Sequence, residues 1–239
     1  MQTFDNCFYC NKAKYFYDDN YDNELKVSND FINMLEDRHH KIYSNGVGDW
    51  EKIVWRDSIN QMHNRMCFRI DSERVIPDST WVIIEYVFKN YPKQKEKEWQ
   101  RADFIICGKS NNQYNLIIIE LKSWPNDYIE KGESSNEVKR VKGGIYPKHP
   151  VDQVLEYKQL ITKHNKFVKD NSVNVYSCVY AHNVYEEKQN EWLHDNDGCV
   201  VYLCRQGNQL RKWIYSLTKD TNESDGKFIA EGFLNSDII

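Results

Sequence analysis

Three side chains that together can bind a metal ion and a water molecule stand at the ends of two apolar segments. Asp103 opens the first segment, and Glu120 and Lys122 close the second after 16 intervening residues. Because side chains alternate along a strand, Glu120 and Lys122 share one face if their segment is a strand. Pairing of two such strands through a turn at 108–112 brings Asp103 level with Glu120. Two carboxylates and a lysine at one end of a sheet predict a metal-and-water site.

The elements that must position this site follow from hydrophobic periodicity. Short Ile-rich runs around Asp103 and Glu120 predict adjacent buried strands, and a third β-prone run precedes them. Along the chain, one helix is expected before these three strands and one after them. Asp49 is the expected N-cap of the helix that precedes them. The order predicts a mixed α/β class in which antiparallel strands lead through a helix to a parallel strand. The patterns predict helices over 29–42, 49–66, 150–169 and 209–217, and strands over 81–88, 103–107, 116–122, 173–180 and 199–204.

Composition narrows the class of protein. The chain has 239 residues and a formal net charge of −4, which excludes a uniformly basic nucleic-acid binder but allows a locally basic face. No stretch approaches the roughly 18 consecutive apolar residues of a membrane span, and the first residues lack the order of a signal peptide. These two features predict a protein without membrane contact. Seven scattered cysteines predict buried free thiols, no disulfide framework and a cytoplasmic location.

A zinc site is the less favoured interpretation of Cys7 and Cys10. They form a lone CxxC pair, whereas structural zinc sites use four ligands. His39 and His40 are adjacent in sequence, which is poor spacing for chelation from one helix face. Ordinary packing against the domain is therefore expected for both cysteines.

The spacing of Asp103 and Glu120-Leu121-Lys122 resembles the D-(x)n-(D/E)-x-K signature of the PD-(D/E)xK nuclease superfamily. The α-β-β-β-α-β order, with the signature on the second and third strands, resembles its restriction-endonuclease-like core. Gln153 and Tyr157 are four residues apart, so they share a face of the following helix. They resemble the Q-x3-Y element that several of these nucleases place beside the site.

This resemblance implies a Mg²⁺-dependent nuclease, with Mn²⁺ as a substitute, that hydrolyses phosphodiester bonds of DNA in preference to RNA. Asp103, Glu120 and the backbone carbonyl of Leu121 would bind the metal. Lys122 would orient or deprotonate the attacking water, helped by a pKa that a nearby cation lowers. Gln153 and Tyr157 would position water or the phosphate. Glu85 would be a further metal ligand, and Glu51 of the first helix is the alternative candidate for that role.

A closer resemblance covers roughly residues 15–215. It is to a family of bacterial and phage proteins of unassigned function, in which a nuclease-like region precedes a P-loop, helicase-like ATPase. The ATPase motif GxxxxGK[ST] does not occur in this chain. The expected partners are nucleic acid, an ATPase domain or protein, and a second copy in a homodimer. The residues that carry the resemblance are Trp55-x-x-Ser58, Glu85, Arg101-x-Asp103, Glu120-Leu121-Lys122-x-Trp124, His149-Pro150-x-x-Gln153 and Ala181-His182-Asn183.

The expected organisation has three parts. Residues 1–48 form an N-terminal extension packed on the core, and 49–218 form the nuclease-like domain. Residues 219–239 form a tail whose apolar character suggests a truncated link to a missing ATPase domain. The alternative function is a catalytically silent nucleic-acid-binding or protein-interaction module of the same fold that serves such an ATPase.

Each candidate residue also has a purely structural interpretation. Asp103, Glu120 and Lys122 could form a surface ion pair of little energetic value. Gln153 and Tyr157 could belong to a solvated helix face, and Glu85 could be a paired structural acid. Trp55 and Ser58 would then pack the first helix on the sheet, and His149 and His182 would be hydrogen-bonding residues at a helix start and in a loop. The segment 131–148 carries Lys131, Lys139, Arg140, Lys142 and Lys148 against Glu133 and Glu137, a local charge of +3 (five minus two) that could be a solvated loop or could contact a nucleic-acid backbone.

Overall fold

The fold was examined in a computed structural model. It describes residues 4–18, 27–43, 45–67, 69–70, 73–89, 91–92, 99–124, 129–132, 138–140, 148–185, 193 and 198–239. The strands are β1 (Cys7–Lys12), β2 (Arg69–Ile70), β3 (Glu73–Arg74), β4 (Trp81–Val87), β5 (Arg101–Ser110), β6 (Gln113–Lys122), β7 (Ile129–Lys131), β8 (Val138–Arg140), β9 (Asn174–Ala181) and β10 (Cys199–Leu203). The helices are α1 (Ala13–Asp18), α2 (Asn29–Tyr43), α3 (Asp49–Met66), α4 (Pro150–His164), α5 (Lys166–Asp170), α6 (Gly207–Thr218) and α7 (Glu223–Leu234).

A six-stranded mixed sheet forms the centre of the fold, with the order β1-β4-β5-β6-β9-β10. The pairs β1–β4, β4–β5 and β5–β6 are antiparallel, and the pairs β6–β9 and β9–β10 are parallel. Helix α4 lies between β6 and β9 in the chain, as a crossover between parallel strands requires. The predicted mixed α/β class is therefore confirmed.

The hairpin of β5 and β6 is longer than the two apolar runs indicate. Its strands continue to Ser110 and Gln113, which pair across a turn of only two residues. Those two residues, Asn111 and Asn112, have φ values of 50° and 59°. Two consecutive left-handed residues are typical of a type I′ turn, which matches the right-handed twist of a hairpin. This turn fixes the register that aligns the far ends of the two strands.

Apolar residues cover both faces of the sheet. On one face the strands pack against α4 and α7 through residues such as Tyr157 and Phe233. On the other face α2, α3 and α6 pack against residues such as Phe104 and Ile119. The sheet is thus flanked by helices on both sides, and its strands are buried nearly continuously, as expected for central strands of such a sheet.

Two predicted helix boundaries were wrong. Asp49 is not the N-cap of α3; Gly48 holds that position, and Asp49 lies in the first turn, where its charge favours the helix dipole. The helix predicted over 150–169 is interrupted at Asn165. Its side chain accepts a hydrogen bond from the backbone N–H of Val168 and so begins a separate short helix, α5.

The two ends of the chain contribute elements that the sequence patterns do not predict. Residues Cys7–Lys12 form β1, which adds an edge strand to the sheet. The segment expected to be a tail contains α7, whose buried residues include Ile229 and Phe233. Its apolar side chains therefore pack against the same sheet as the rest of the domain.

The seven cysteines form no disulfide, and all of them lie in described segments. Cys7 and Cys10 pack in the apolar cluster beneath α4 and α7, so the interpretation as core residues is confirmed. Burial raises the pKa of the Cys7 thiol to about 12. None of the helices described is both long and apolar enough to cross a membrane.

Candidate active site

Three acidic residues occupy one row across three neighbouring strands. The pairs Ile84–Phe104 and Tyr86–Ala102 place Glu85 of β4 opposite Asp103 of β5. Continuing the β5–β6 register one residue beyond Phe104–Ile119 places Asp103 opposite Glu120. The alignment expected for Asp103 and Glu120 is therefore present at the end of the hairpin, and Glu85 extends it by one strand.

The backbone is irregular at this row. Glu85 has a φ of 54°, a left-handed conformation that residues other than glycine adopt rarely. The alternation of side chains also slips there, because Ile83 and Tyr86, three residues apart, pack in the same apolar cluster. Such strain commonly marks functional sites, since the surrounding structure must stabilise it.

Lys122 connects β6 to α4 through a chain of polar contacts. Its ammonium group donates to Glu120 Oε1 and lies 3.4 Å from Gln153 Oε1. The Gln153 amide in turn donates to the Tyr157 hydroxyl over 2.6 Å. Glu120 is only 1% exposed and Tyr157 only 2%, so neither belongs to a solvated surface. The structural alternatives of a surface ion pair and a solvated helix face therefore do not describe these residues.

Asp103 is held at the end of β5 by the backbone of β6. Its Oδ2 accepts a hydrogen bond of 2.7 Å from the Leu121 N–H. Burial raises the pKa of Asp103, although Lys122, this hydrogen bond and Arg101 each act in the opposite direction. The carboxylate thus faces the Lys122 charge while one of its oxygens is fixed by the neighbouring strand.

Glu85 and Glu51, the two rival candidates for a further metal ligand, share a single arginine. Arg101 Nε lies 3.2 Å from Glu85 Oε2, and Arg101 Nη2 lies 2.8 Å from Glu51 Oε1. The guanidinium also lies over the Phe8 and Tyr43 rings, at 5.7 and 5.6 Å from their centroids. Glu85 is therefore a paired acid, in agreement with its structural interpretation. The sequence gives no separate signal for Arg101 as the link, beyond its place two residues before Asp103.

Burial dominates the acid–base properties of the row. It raises the pKa of Glu120 to about 8, an effect that Asp103 reinforces and Lys122 partly offsets. It raises the pKa of Glu85 to about 7, with Arg101 acting in the opposite direction. For Lys122, burial acts to lower the pKa, but Glu120 and Asp103 outweigh it, so the net shift is upward. In the absence of a metal, Lys122 is therefore a protonated hydrogen-bond donor at neutral pH.

A cleft of about 650 Å³ opens on the α3 side of this row. Asp103, Glu85 and Lys122 line it, whereas Glu120, Gln153 and Tyr157 lie behind Lys122, on the α4 side of the sheet. The site therefore spans the end of the sheet, and Lys122 contacts both halves of it. The wall facing the sheet is α3, through Trp50, Glu51, Ile53, Val54, Trp55, Asp57, Ser58 and Ile59.

A second polar network joins α3 to the end of β9. Ser58 Oγ lies 3.2 Å from His182 Nε2, and Asn183 donates to Asp57 over 3.0 Å. The backbone N–H of His182 donates to the Lys122 carbonyl. The expected role of His182 as a hydrogen-bonding residue is confirmed, as is that of His149, which caps α4 by accepting from the Val151 N–H. The contact between residues 58 and 182, which are far apart in sequence, has no local signal.

The basic segment 131–148 is described only in part. Residues 129–131 and 138–140 form the two-stranded pair β7–β8, and Lys148 forms an ion pair with Glu156 of α4. Lys142, Glu133 and Glu137, on which the predicted local charge also depends, lie outside the described residues.

The residues present suit a divalent ion that keeps several water molecules among its ligands. Within the described segments, no three His, Cys, Asp or Glu side chains form a ready metal site. Mg²⁺, however, is commonly bound by one or two carboxylates together with waters and substrate phosphate. Glu120 Oε2 is buried without a hydrogen-bond partner among the described residues, which leaves it available to a ligand. A buried carboxylate oxygen without a partner, on a residue that the strand register places opposite a second acid, suits Mg²⁺.

Comparisons with protein-family models, with curated proteins and with solved structures find no match for this chain. The geometry and chemistry of the site therefore carry the functional argument.

Proposed function

We propose that the chain contains a Mg²⁺-dependent nuclease domain of the PD-(D/E)xK type that hydrolyses phosphodiester bonds, with DNA favoured over RNA. The order α3, β4, β5, β6, α4, β9 supports the proposal, because it matches the α-β-β-β-α-β order of a restriction-endonuclease-like core. Asp103 lies on the second of these strands, and Glu120 and Lys122 lie at the end of the third.

The observation that carries the proposal is the position of Lys122. It joins Glu120 to Gln153 at the end of β6 and also lines the cleft that Asp103 enters. A lysine that served only to neutralise Glu120 would have no reason to face a cleft. Its placement suits a group that contacts both a metal ligand and a substrate.

Each side chain then has a role that its environment allows. Asp103 and Glu120 would hold Mg²⁺, which when bound would neutralise charge on the phosphoryl oxygens and lower the pKa of a coordinated water. Lys122 would orient the attacking water or the phosphate by donating hydrogen bonds. Gln153 and Tyr157 would hold Lys122 in place, since Gln153 contacts both. The general-base role considered for Lys122 requires a deprotonated amine. Without a metal the pKa of Lys122 is raised by Glu120 and Asp103, whereas a cation bound to these two acids would act to lower it.

The experiment is a cleavage assay on single-stranded and duplex DNA and on RNA, with Mg²⁺ or Mn²⁺ and with EDTA. Cleavage that depends on the metal and is lost in Glu120→Gln is expected, because the amide keeps the shape of the side chain but not its charge. Glu223→Gln is the matched control, since Glu223 is exposed and pairs with Lys12 on the protein surface.

Metal-dependent cleavage that survives Glu120→Gln would contradict the assignment of the site. Nucleic-acid binding without cleavage in either metal would instead favour the second candidate, a silent binding module serving an ATPase. Circular dichroism and thermal unfolding of each variant establish that a loss of activity is not a loss of fold.

A further inference from the structure

Two large apolar side chains at the rim of the cleft are left in solvent. Trp50 is 72% exposed and Ile53 is 53% exposed. They are three residues apart on α3, so they lie on one face of the helix, and both line the cleft that contains Asp103 and Lys122. Tryptophan is usually largely buried, and exposed apolar groups beside a polar site commonly contact a ligand.

A second tryptophan lies beside the proposed catalytic lysine. Trp124 lies two residues after the end of β6, lines the same cleft, and is partly buried. The Lys122 ammonium lies 5.5 Å from the centroid of its ring. The cleft therefore has aromatic side chains both on the helix wall and next to the group that would contact the phosphate.

The charges of the cleft do not favour a long phosphate backbone. Among the described residues, its lining contains Glu51, Asp57, Glu85 and Asp103 against Arg101 and Lys122, a formal charge of −2 (four acids, two bases). Both cations are already paired, Arg101 with Glu51 and Glu85, and Lys122 with Glu120. Proteins that bind duplexes chiefly through phosphates need free cations along the contact. Stacking of an unpaired base on an aromatic ring contributes affinity of its own, on the order of 1–3 kcal/mol per base, and is insensitive to sequence.

We propose that the cleft binds an unpaired nucleobase, stacked on Trp50, next to the phosphate to be cleaved. This inference rests on the proposed nuclease function and defines its substrate class as single-stranded or locally unpaired nucleic acid. A base inside a duplex cannot stack on Trp50, because its neighbours in the duplex occupy both of its faces.

The test measures binding by fluorescence anisotropy with Ca²⁺, which accepts the same oxygen ligands, in place of Mg²⁺. The probes are a labelled single-stranded oligonucleotide, the blunt duplex of the same sequence, and a single strand of equal length whose central residues are abasic. The wild-type chain should bind the intact single strand at least tenfold more tightly than the other two. Trp50→Ala should weaken single-strand binding about tenfold, the size expected for one lost base stack, and Trp50→Phe should retain most of the affinity.

Tyr215→Ala is the matched control, because Tyr215 is an aromatic residue of α6 that is 41% exposed and does not line the cleft. It should leave all three affinities unchanged. Equal affinity of the wild type for duplex and single strand, or unchanged binding by Trp50→Ala, would overturn the inference. So would a wild-type dimer, seen by analytical ultracentrifugation, that Trp50→Ala converts to a monomer, since a second copy would then cover the tryptophan.

The two proposals fail in different ways. Trp50-dependent binding of single strands without cleavage in Mg²⁺ or Mn²⁺ would contradict the proposed nuclease activity but support base binding in the cleft. Mg²⁺-dependent cleavage of duplex and single strand at equal rates, unchanged in Trp50→Ala, would support the nuclease activity but contradict the proposed preference of the cleft for an unpaired base.

Discussion

Lys122 donates a hydrogen bond to Glu120 at the end of β6, and the carboxylate that receives it is 1% exposed. Glu120 is therefore shielded from water, whereas Lys122 lines the cleft. Burying an acid is costly unless a partner or a metal compensates for the lost hydration. Here only one oxygen of Glu120 has a partner among the described residues. Glu120 therefore gains stability either by keeping a proton or by binding a metal ion.

The stability of the metal-free protein should fall as the pH rises from about 4.5 to about 8. The pKa of Glu120 is about 8 in the folded protein and has an ordinary value of 4.5. Between these values the folded state retains a proton that the unfolded state has released, so the free energy of unfolding decreases with pH. Urea unfolding of the wild type and of Glu120→Gln in EDTA checks this, because the variant lacks the titrating group.

The difference in unfolding free energy, wild type minus Glu120→Gln, is expected to decline across that pH window. Adding Mg²⁺ should stabilise the wild type more at pH 8.5 than at pH 6, since the metal binds the deprotonated carboxylate. A difference that stays flat with pH, with and without Mg²⁺, would show that Glu120 titrates normally.

Replacing Lys122 by Met should lower metal-dependent cleavage by at least about 100-fold, the usual range for a group that handles protons or water at a reacting centre. The fold should persist, because Glu120 can take up a proton when its partner is lost. The pKa of Glu120 should rise further, since the lysine acts to lower it. The measurement is the pH midpoint of Mg²⁺ binding, which is expected to move upward in the variant.

Lys227→Met serves as the control for that substitution, because Lys227 is exposed and pairs only weakly, at 3.7 Å, with Glu231 one helical turn away. It should change neither cleavage nor the pH midpoint. A Lys122→Met protein that cleaves at the wild-type rate would remove Lys122 from the reaction.

Arg101→Met should destabilise the fold by about 3 kcal/mol at alkaline pH, the typical cost of leaving a buried charge without its partner. The cost should be smaller near neutral pH, because Arg101 acts to lower the pKa of Glu85, which is about 7, and Glu85 can take up a proton without it. Arg101 pairs with Glu85, whose side chain is 6% exposed, as well as with Glu51. Adding Glu85→Gln should recover part of the loss, because the amide carries no charge. Urea unfolding of the two single variants and the double variant measures this coupling. Strictly additive effects would show that the Arg101–Glu85 contact contributes nothing.

Asn112→Gly should stabilise the hairpin by roughly 0.5 kcal/mol, because glycine adopts the positive φ of this turn position without steric cost. Asn112→Ala should have the opposite effect, since alanine disfavours a φ near 59°. Thermal unfolding distinguishes the two. Equal melting temperatures for both variants would contradict the assigned turn.

The features that sequence predicts best are those encoded by local patterns. Ile105 and Ile118 belong to apolar runs long enough to indicate buried strands, and the turn between the runs indicates their pairing. Trp55 and Met62 recur at helical spacing, which indicates α3. The alignment of Asp103 with Glu120 follows from these elements alone, because a hairpin with a short turn permits few registers.

The features that sequence does not predict depend on contacts between distant segments. Cys7 and Phe8 lack a strand pattern of their own and become strand only by pairing with β4. Glu85 has a left-handed backbone, lies where the alternation of side chains along β4 slips, and pairs with Arg101. No local sequence pattern indicates any of these features. The contact of Ser58 with His182 spans 124 residues and exists only once α3 packs against the sheet.

The metal site can be tested in a crystal structure of the protein soaked in Mn²⁺, with anomalous scattering recorded near the manganese edge. We expect one anomalous peak between Asp103 and Glu120, within a coordination distance of about 2.1 Å of an oxygen of each. We also expect the peak to disappear in Glu120→Gln crystals. A peak at another position, or a peak that persists without the Glu120 carboxylate, would contradict the assignment of the metal site.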